Sequence, residues 1–480
     1  MTRTIDMLPD LALLRIFEFF IIDRGPWITL VHVCRQWRDI VFGSSRRLGL
    51  VINLQPCSGT LCKEILDIWS PLPIVIKTCR LIRSYVASYA DNIVVALEHN
   101  ANRIRKLNID EIPGSEMGKV LAAMQQPFPS LTYLRLEPSD KAALIAPTSF
   151  LGGSAPSLQE LFLNRISFPG LPNLLLSATH LFNLCLERIP DSGYFSPEAI
   201  VTCLPVLTRL GHLTIKFESP QSRSDRTSEP LSPQTRTLLP FLTALRFQGV
   251  TEYLEDLVAW IDAPRLKLLD ITFPELIIGT PQLAQFISRT PKLMEQDKAF
   301  VTMDFSDYSA SLRLARDPED CARLNLNISC RQSDRQLLSL ARVRSSCLPQ
   351  ALIPLVEELI IITPDLKLDM QDEIESIGWG DDIENIQWLE LIEPFTAVRT
   401  LYLSPETVRR IGPALQELVG ERVMDVLPDL YTILIYDPVP SSADQRPIKR
   451  FVAARRLAGK HMVLSGWYSY VWASSKFGVS

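Results

Sequence analysis

The chain has 480 residues, 47% of them hydrophobic, and a formal net charge of −5 at neutral pH. This apolar content excludes global disorder, and the length exceeds what one compact core holds, so a small module joined to an elongated array is expected. The acidic balance argues against nucleic acid and membrane surfaces as partners, because both require concentrated positive charge.

Cysteine usage and the N-terminal residues indicate the compartment. The nine cysteines are scattered and never spaced as Cys-x-x-Cys, unlike a disulfide framework or a zinc site. Asp6 and Asp10 interrupt the apolar residues where a secretory signal needs a basic start and a clean apolar segment, and no apolar run reaches membrane-spanning length. We therefore expect a soluble intracellular protein, cytoplasmic, nuclear or both, without a metal or cofactor.

Two amphipathic helices are predicted near the N-terminus. Pro9 suits a first helical turn, and apolar residues from Leu13 to Phe20 follow at helical spacing. After a break at Asp23–Pro26, a second helix is predicted from Trp27 to Val41, where apolar residues recur at intervals of three and four. Helices this short do not bury both apolar stripes against each other, so the sequence predicts a partner surface.

The order of these residues resembles the F-box family. Leu8-Pro9 opens the first helix, Ile16-Phe17 lies within it, and Val33-Cys34-Arg35-Gln36-Trp37-Arg38 lies in the second. The resemblance covers residues 1–50 and implies an F-box that docks on a Skp-type adaptor and, through it, on a cullin. It assigns adaptor contact, or support of the contact surface, to Leu8, Pro9, Leu14, Ile16, Phe17, Val33, Cys34 and Trp37. The alternative is a small helical bundle that only caps the rest of the chain.

A leucine pattern recurs through the remainder of the sequence. A proline, one residue, a leucine, two residues and an apolar residue open a short alternating segment at Pro129, Pro156, Pro240, Pro264 and Pro428. The spacing of the copies is typical of leucine-rich repeats, so residues 101–480 are predicted to form an α/β, irregular leucine-rich-repeat-like solenoid of parallel strands backed by helices and loops. Residues 51–100 are predicted to be a helical connector or the N-terminal cap of this array.

Each Leu-x-x-Leu-x-Leu segment directs its leucines inward and the residues between them to the opposite face. Stacked copies therefore form a sheet with one face open to a ligand. Aromatic side chains and charges of both signs favour a protein target there, although ordinary solvated strand residues have the same composition. The candidate target-binding residues are Tyr133, Arg135, Glu160, Phe162, Asn183, Glu187, His212, Lys216, Arg246, Gln248, Asp270, Tyr402 and Tyr436.

Several segments interrupt the repeats. Mobile loops are predicted at about residues 218–235 and 438–447, where apolar periodicity is lost. Ala299–Phe305 and Arg323–Ser329 have strand patterns outside the leucine rhythm, so an irregular or partly antiparallel sheet is expected there. The acidic segment Asp369–Glu384 lacks the ligand spacing of a calcium loop and is interpreted as a solvated helix and turn.

The C-terminal part combines basic and aromatic residues. Lys449, Arg450, Arg455, Arg456 and Lys460 accompany apolar residues at helical spacing, which predicts an amphipathic helix that caps the last repeat and exposes its basic residues. The aromatic residues between 467 and 477 are expected to close the end of the core.

No catalytic motif is present in the sequence. Phosphate-binding glycine loops, the zinc motif His-Glu-x-x-His and the nucleophile motif Gly-x-Ser-x-Gly are all lacking. We therefore expect a non-catalytic substrate-recognition subunit of a Skp–cullin–F-box ubiquitin ligase, with the adaptor on the F-box and an unidentified protein target on the repeats. The alternatives are a leucine-rich-repeat scaffold that does not engage a cullin, and a hydrolase or transferase with an unrecognised site.

Overall fold

The computed structural model describes residues 8–22, 27–45, 47–54, 66, 72–78, 86–142, 144–219, 236–274, 279–295, 299–306, 309–316, 322–329, 333–348, 353–363, 381–418, 420–436 and 444–467. The chain divides into two compact units, Met1–Leu181 and Phe182–Ser480. Both units are mixed α/β, and the strands of both are mostly parallel.

The first unit starts with three short helices and continues into parallel strands. The helices are α1 (Asp10–Ile22), α2 (Trp27–Val31), α3 (Arg35–Gly43), α4 (Val86–Asn100), α5 (Gly114–Ala123) and α6 (Leu171–Leu175). The strands are β1 (Ile52–Leu54), β2 (Ile74–Lys77), β3 (Ile104–Ile112), β4 (Tyr133–Pro138), β5 (Leu144–Ile145), β6 (Glu160–Asn164) and β7 (Ile166–Ser167). Strands β1-β2-β3-β4-β6 pair in parallel in that order, and β5 pairs with β7.

The leucine pattern positions each strand against the preceding copy. Leu134 and Leu136 of β4 are buried and stand in register with Leu161 and Leu163 of β6. The turn before β4 is tied to the strand before it, because the backbone N–H of Thr132 donates to the Arg105 carbonyl at 2.8 Å. The leucines therefore form the core, as the alternation predicts.

The second unit repeats this arrangement with one interruption. Its helices are α7 (Pro197–Val201), α8 (Thr251–Ala259), α9 (Pro281–Ser288), α10 (Pro291–Met294), α11 (Ser333–Cys347), α12 (Asp381–Ile392), α13 (Pro405–Gln416) and α14 (Arg446–Leu457). Its strands are β8 (Asn183–Ile189), β9 (His212–Phe217), β10 (Thr237–Leu238), β11 (Ala244–Gln248), β12 (Ile261–Asp262), β13 (Leu268–Phe273), β14 (Ala299–Phe305), β15 (Ser309–Ala315), β16 (Leu324–Ser329), β17 (Val356–Ile362), β18 (Thr400–Leu403), β19 (Thr432–Tyr436) and β20 (Val463–Trp467). The main sheet has the order β8-β9-β11-β13-β16-β15-β14-β17-β18-β19-β20, and β10 pairs with β12.

An antiparallel insertion explains the broken leucine rhythm. Strand β15 runs antiparallel to both β14 and β16, while β16 pairs in parallel with β13 and β14 pairs in parallel with β17. Because β14 and β16 are both antiparallel to β15, they run in the same direction as each other and as their parallel neighbours β17 and β13. The parallel pairing therefore continues on both sides of the insertion. The prediction of a partly antiparallel sheet in this region is confirmed.

The N-terminal third of the chain differs from the sequence expectation in two places. The second predicted helix is divided into α2 and α3, because Cys34 has an extended backbone (φ −157°, ψ 172°) and caps α3 by accepting from the Trp37 N–H. Residues 51–100, predicted to be a helical connector or the N-terminal cap of the array, contain strands β1 and β2 as well as helix α4. The array of parallel strands therefore begins about fifty residues earlier than the predicted boundary at 101.

The C-terminal helix also differs from expectation. Helix α14 is present, but strand β20 follows it and pairs with β19, so the helix does not end the array. The prediction that its basic residues are exposed is wrong for Arg455, which is fully buried and donates from Nε to the Val423 carbonyl at 3.1 Å and from a terminal nitrogen to the Val426 carbonyl.

Some predicted features lie outside the described residues. These are residues 220–235 and 437–443 of the two predicted loops, residues 369–380 of the acidic segment, and residues 468–480 of the aromatic tail. Within the described ranges, no helix combines the length and apolar character needed to cross a bilayer.

Candidate functional site

The N-terminal helices share a small core of their own. Leu13 and Phe17 of α1 are fully buried, and the Phe17 ring lies 4.8 Å from the Trp37 ring of α3, centroid to centroid. The Trp27 indole donates to the Val51 carbonyl at 2.9 Å, which ties α2 to the residues just before β1. These contacts hold the three helices in a defined arrangement, here called the N-terminal module (residues 8–45).

The outer side of the N-terminal module is apolar and exposed. Among the described residues, seven of the sixteen large hydrophobic side chains that are exposed lie between residues 8 and 33: Leu8, Leu11, Ile16, Phe19, Phe20, Ile28 and Val33. We call these seven the apolar face. Leu11 is 71% exposed and Phe19 is 74% exposed, so neither packs on the module's own core. A concentration of large exposed apolar side chains in so short a segment is typical of interaction surfaces.

The residues that the F-box resemblance assigns to the adaptor divide into two groups. Leu8, Pro9, Ile16 and Val33 are exposed, whereas Leu14 and Phe17 are buried, and Cys34 and Trp37 are half-buried. The first group can touch a partner, and the second fixes the helices that carry it.

Sequence reasoning missed three members of the apolar face, Leu11, Phe19 and Ile28, and it placed Phe20 on the apolar stripe without assigning it to the adaptor. Helix α1, with the sequence DLALLRIFEFFII, is apolar around most of its circumference. A helix that is apolar around most of its circumference needs apolar neighbours on more than one side. The apolar residues of α1 outside the predicted stripe were therefore the signal for a second contact surface.

Charged side chains lie beside the apolar face. Glu18 accepts from Arg15 at 2.9 Å and from Arg47 at 2.5 Å. The hydrogen bond from Arg47 is the main reason that the pKa of Glu18 is lowered, and the half-buried carboxylate stays ionised. An apolar centre with polar residues at its margin is the usual composition of a protein interface.

The open strand face is the second candidate surface. None of the thirteen residues predicted on it is buried, while the leucines that alternate with them form the core. In the first unit, the Arg135 guanidinium lies 4.2 Å from the centre of the Phe162 ring and 2.7 Å from a Glu137 carboxylate oxygen. Burial alone would lower the pKa of Arg135, but Glu137 raises it overall.

Charges on the strand face of the second unit are also paired. Lys216 lies 3.0 Å from Glu187, and Arg246 lies 4.0 Å from Asp270. In register with Asp270 is Asn325, which donates to its carboxylate at 2.7 Å. Because each of these cations has an anionic neighbour, the face offers a protein partner a patterned surface without a large field of one sign.

The antiparallel insertion adds face residues that the leucine pattern missed. Arg313 of β15 lies 3.3 Å from Asp304 of β14, and both lie on the half-buried side of their strands.

A tyrosine predicted on the strand face is held by a neighbouring strand. On β18, the hydroxyl of Tyr402 donates to Glu358 of β17 at 2.8 Å. Burial, and then this bond to Glu358, raise the pKa of the Tyr402 phenol, so it remains a neutral donor.

Buried thiols in the second unit are poor nucleophiles. Burial raises the pKa of Cys185 and of Cys347 to about 12, so both remain protonated at neutral pH. Within the described ranges, no group of three or more His, Cys, Asp or Glu side chains lies close enough to hold a metal ion.

Comparisons with known proteins find similarity to solved structures only. No family model matches the chain, and no curated protein matches it. Among solved structures, the chain is similar to the leucine-rich repeat-containing protein LegL7 from Legionella pneumophila, with 12% sequence identity and a TM-score of 0.25, over 86% of this chain and 98% of that chain.

Proposed function

We propose that this protein is a substrate-recognition subunit of a Skp–cullin–F-box ubiquitin ligase, with the adaptor on the apolar face and a protein target on the open strand face. The observation that carries the proposal is the apolar face itself, whose residues include Leu8, Ile16 and Val33 from the F-box-like series. The protein contributes no catalytic group; it brings a bound target close to a conjugating enzyme held by other subunits.

The size of the exposed side chains supports a stable contact. Full burial of a large apolar side chain contributes about 1.5–3 kcal/mol. Leu11, Phe19 and Val33 are all more than half exposed, so burial of their exposed parts supplies about twice that amount toward the costs of association. The contact between buried Phe17 and half-buried Trp37 favours binding further, because a pre-arranged surface loses little conformational entropy.

The composition of the strand face supports a protein as the target. Its charges are paired, as in Lys216 with Glu187, and its aromatic side chains lie beside cations, as in Phe162 with Arg135. A polyanion would need a surplus of unpaired cations along this face.

A co-precipitation experiment tests adaptor docking. The full chain, expressed in cells with an affinity tag, is compared with an Ile16→Asp, Phe19→Asp double variant. Both side chains are exposed, so the fold is retained, and a carboxylate at an apolar contact is strongly unfavourable. We expect the parent chain to recover a Skp-type adaptor and a cullin, and the variant to lose both.

Leu457→Asp is the matched control, because Leu457 is 91% exposed and lies in α14, far along the chain from the module. It is expected to recover the adaptor as the parent does. Recovery of a protein partner without adaptor or cullin would favour the scaffold alternative, and equal adaptor recovery by the parent and the double variant would refute docking through the apolar face.

A further inference from the structure

A cleft lies in the first unit, along the ends of the strands where β2, β3, β4 and β6 begin. It has a volume of about 400 Å³ and is lined by Pro73, Asn102, Arg103, Arg105, Pro129, Ser130, Thr132 and Ser157. The lining includes two guanidinium groups, one amide and three hydroxyls, and no carboxylate. This volume is within the range of small-ligand sites.

The two arginines of the cleft are held differently. The guanidinium of Arg103 is anchored by the Leu72 carbonyl at 3.1 Å, the Leu66 carbonyl at 3.1 Å and the side-chain oxygen of Asn100 at 2.7 Å. Its charge is therefore fixed at the wall of the cleft. Arg105 is exposed, and its side chain makes no hydrogen bond or ion pair with any other described residue.

The hydroxyls and the amide of the cleft also comprise side chains that are already hydrogen-bonded and side chains that are not. Thr132 donates its hydroxyl to the Arg105 carbonyl at 3.0 Å, and Ser157 donates to the Pro129 carbonyl at 2.7 Å, so these two side chains close the cleft floor. Ser130 and Asn102 are exposed, and their side chains bond to no other part of the described structure. The donors that remain for a ligand thus come from Arg105, Ser130 and Asn102.

We infer that this cleft binds a phosphate group, either as free phosphate or as a phosphorylated side chain. A phosphate monoester has a charge of about −1.5 to −2 and three terminal oxygens, which match two guanidinium charges and several separate donors. A carboxylate offers two oxygens and one charge, and uses fewer of these groups. A cation is disfavoured because no anionic side chain lines the cleft. The inference does not depend on adaptor docking.

Isothermal titration calorimetry on the full chain tests the site. The probes are inorganic phosphate and O-phospho-L-serine, with L-serine and chloride as controls at equal ionic strength. At least one phosphate probe is expected to bind, and L-serine and chloride are not. Tighter binding of O-phospho-L-serine identifies a phosphorylated side chain as the source, and binding of inorganic phosphate alone identifies the free anion.

Three variants assign the binding to the cleft. Arg105→Gln removes the charge and keeps a shorter, polar side chain, and it is expected to weaken binding at least about tenfold. Ser130→Asp places a carboxylate in the cleft and is expected to abolish binding. Arg209→Gln, at an exposed arginine just before β9 in the second unit, is the matched control and is expected to bind as the parent does.

The inference is overturned if neither phosphate probe binds the parent chain, if both cleft variants bind phosphate as tightly as the parent, or if Arg209→Gln weakens binding equally. Unchanged unfolding midpoints for the variants confirm that they fold. Because Arg105 lies outside the apolar face, Arg105→Gln is expected to retain adaptor capture, which separates this site from the proposed ligase role.

Discussion

Replacement of Phe17 by alanine is expected to destabilise the N-terminal module, whereas replacement of Phe19, two residues along the same helix, is not. Phe17 is fully buried and its ring lies 4.8 Å from that of Trp37, while Phe19 is 74% exposed. A buried Phe→Ala change costs about 3–5 kcal/mol, and an exposed substitution changes stability by about 0.5 kcal/mol or less.

Hydrogen exchange with mass spectrometry measures this locally, which avoids treating a chain of two compact units as a two-state folder. Amides of residues 8–45 in Phe17→Ala are expected to exchange about a hundredfold faster or more, at about 1.4 kcal/mol per factor of ten. Amides of the same segment in Phe19→Ala are expected to exchange as in the parent chain. Unchanged exchange in Phe17→Ala would refute the shared core, and equal acceleration in Phe19→Ala would refute the exposed apolar face.

Three further predictions concern contacts within the array. The Glu255 carboxylate accepts from the N–H groups of Gln282 and Leu283, both at 2.8 Å, and so caps α9, whose own N-cap residue makes no side-chain capping bond. Glu255→Ala is expected to destabilise this helix by about 2 kcal/mol or more, measured by hydrogen exchange, and the surface variant Glu295→Ala is expected to leave it unaffected. Equal exchange in the two variants would contradict the capping role. The N–H groups of Gly114 and Ala142 lower the pKa of Asp140, so the stability that its carboxylate contributes is present above about pH 4 and is lost as the pH falls through the lowered pKa. Asp140→Ala is therefore expected to be less stable to urea than the parent near neutral pH and equally stable at strongly acid pH. A difference in stability that persists in acid would disprove the link. Burial raises the pKa of Cys185 and Cys347 to about 12. Iodoacetamide at about pH 8 is therefore expected to leave both thiols unmodified in the folded chain and to modify both after unfolding. Modification of these thiols in the native chain would show that they are accessible.

The sequence predicted strands best where the leucine pattern was complete. The copies at Pro129, Pro156, Pro240, Pro264 and Pro428 each precede a parallel strand whose leucines or isoleucines are buried. The prediction succeeded because apolar residues at every second position, preceded by a proline turn, are a strong local signal for a strand. Outside these copies the signal was weaker: β2 is the continuous run Ile-Val-Ile-Lys, which periodicity does not distinguish from a buried helix segment.

Side chains that break the usual rule for their type were predicted less well. Arg455 lies on the buried stripe of α14 with Ile448, Phe451 and Val452, but its basic character led to a prediction of exposure. Its guanidinium is stabilised there by the Val423 and Val426 carbonyls and by the Phe451 ring, at 5.0 Å from the guanidinium carbon to the ring centre. Burial lowers the pKa of Arg455 to about 10. The carbonyl partners come from a distant segment, so the sequence alone did not show them.

The candidate surfaces were also predicted only in part. The F-box-like order identified Leu8, Ile16 and Val33 on the apolar face, but an ordered motif does not specify which additional positions of an apolar helix are exposed. Leu11 and Phe19 became apparent only once the core of the module was defined. The cleft brings together residues from four segments; the repeat relates Ser130 to Ser157, but the leucine pattern did not indicate that Asn102 and Arg105 lie beside them.

The most direct test of the account is calorimetric titration of the purified full chain with a purified Skp-type adaptor at several temperatures. We predict a one-to-one complex with a negative heat-capacity change, because the apolar face is removed from water, and loss of this binding in Ile16→Asp, Phe19→Asp but not in Leu457→Asp. Absence of binding by the parent chain, or binding that the double variant retains, would contradict the proposal that the N-terminal module is an adaptor-docking F-box.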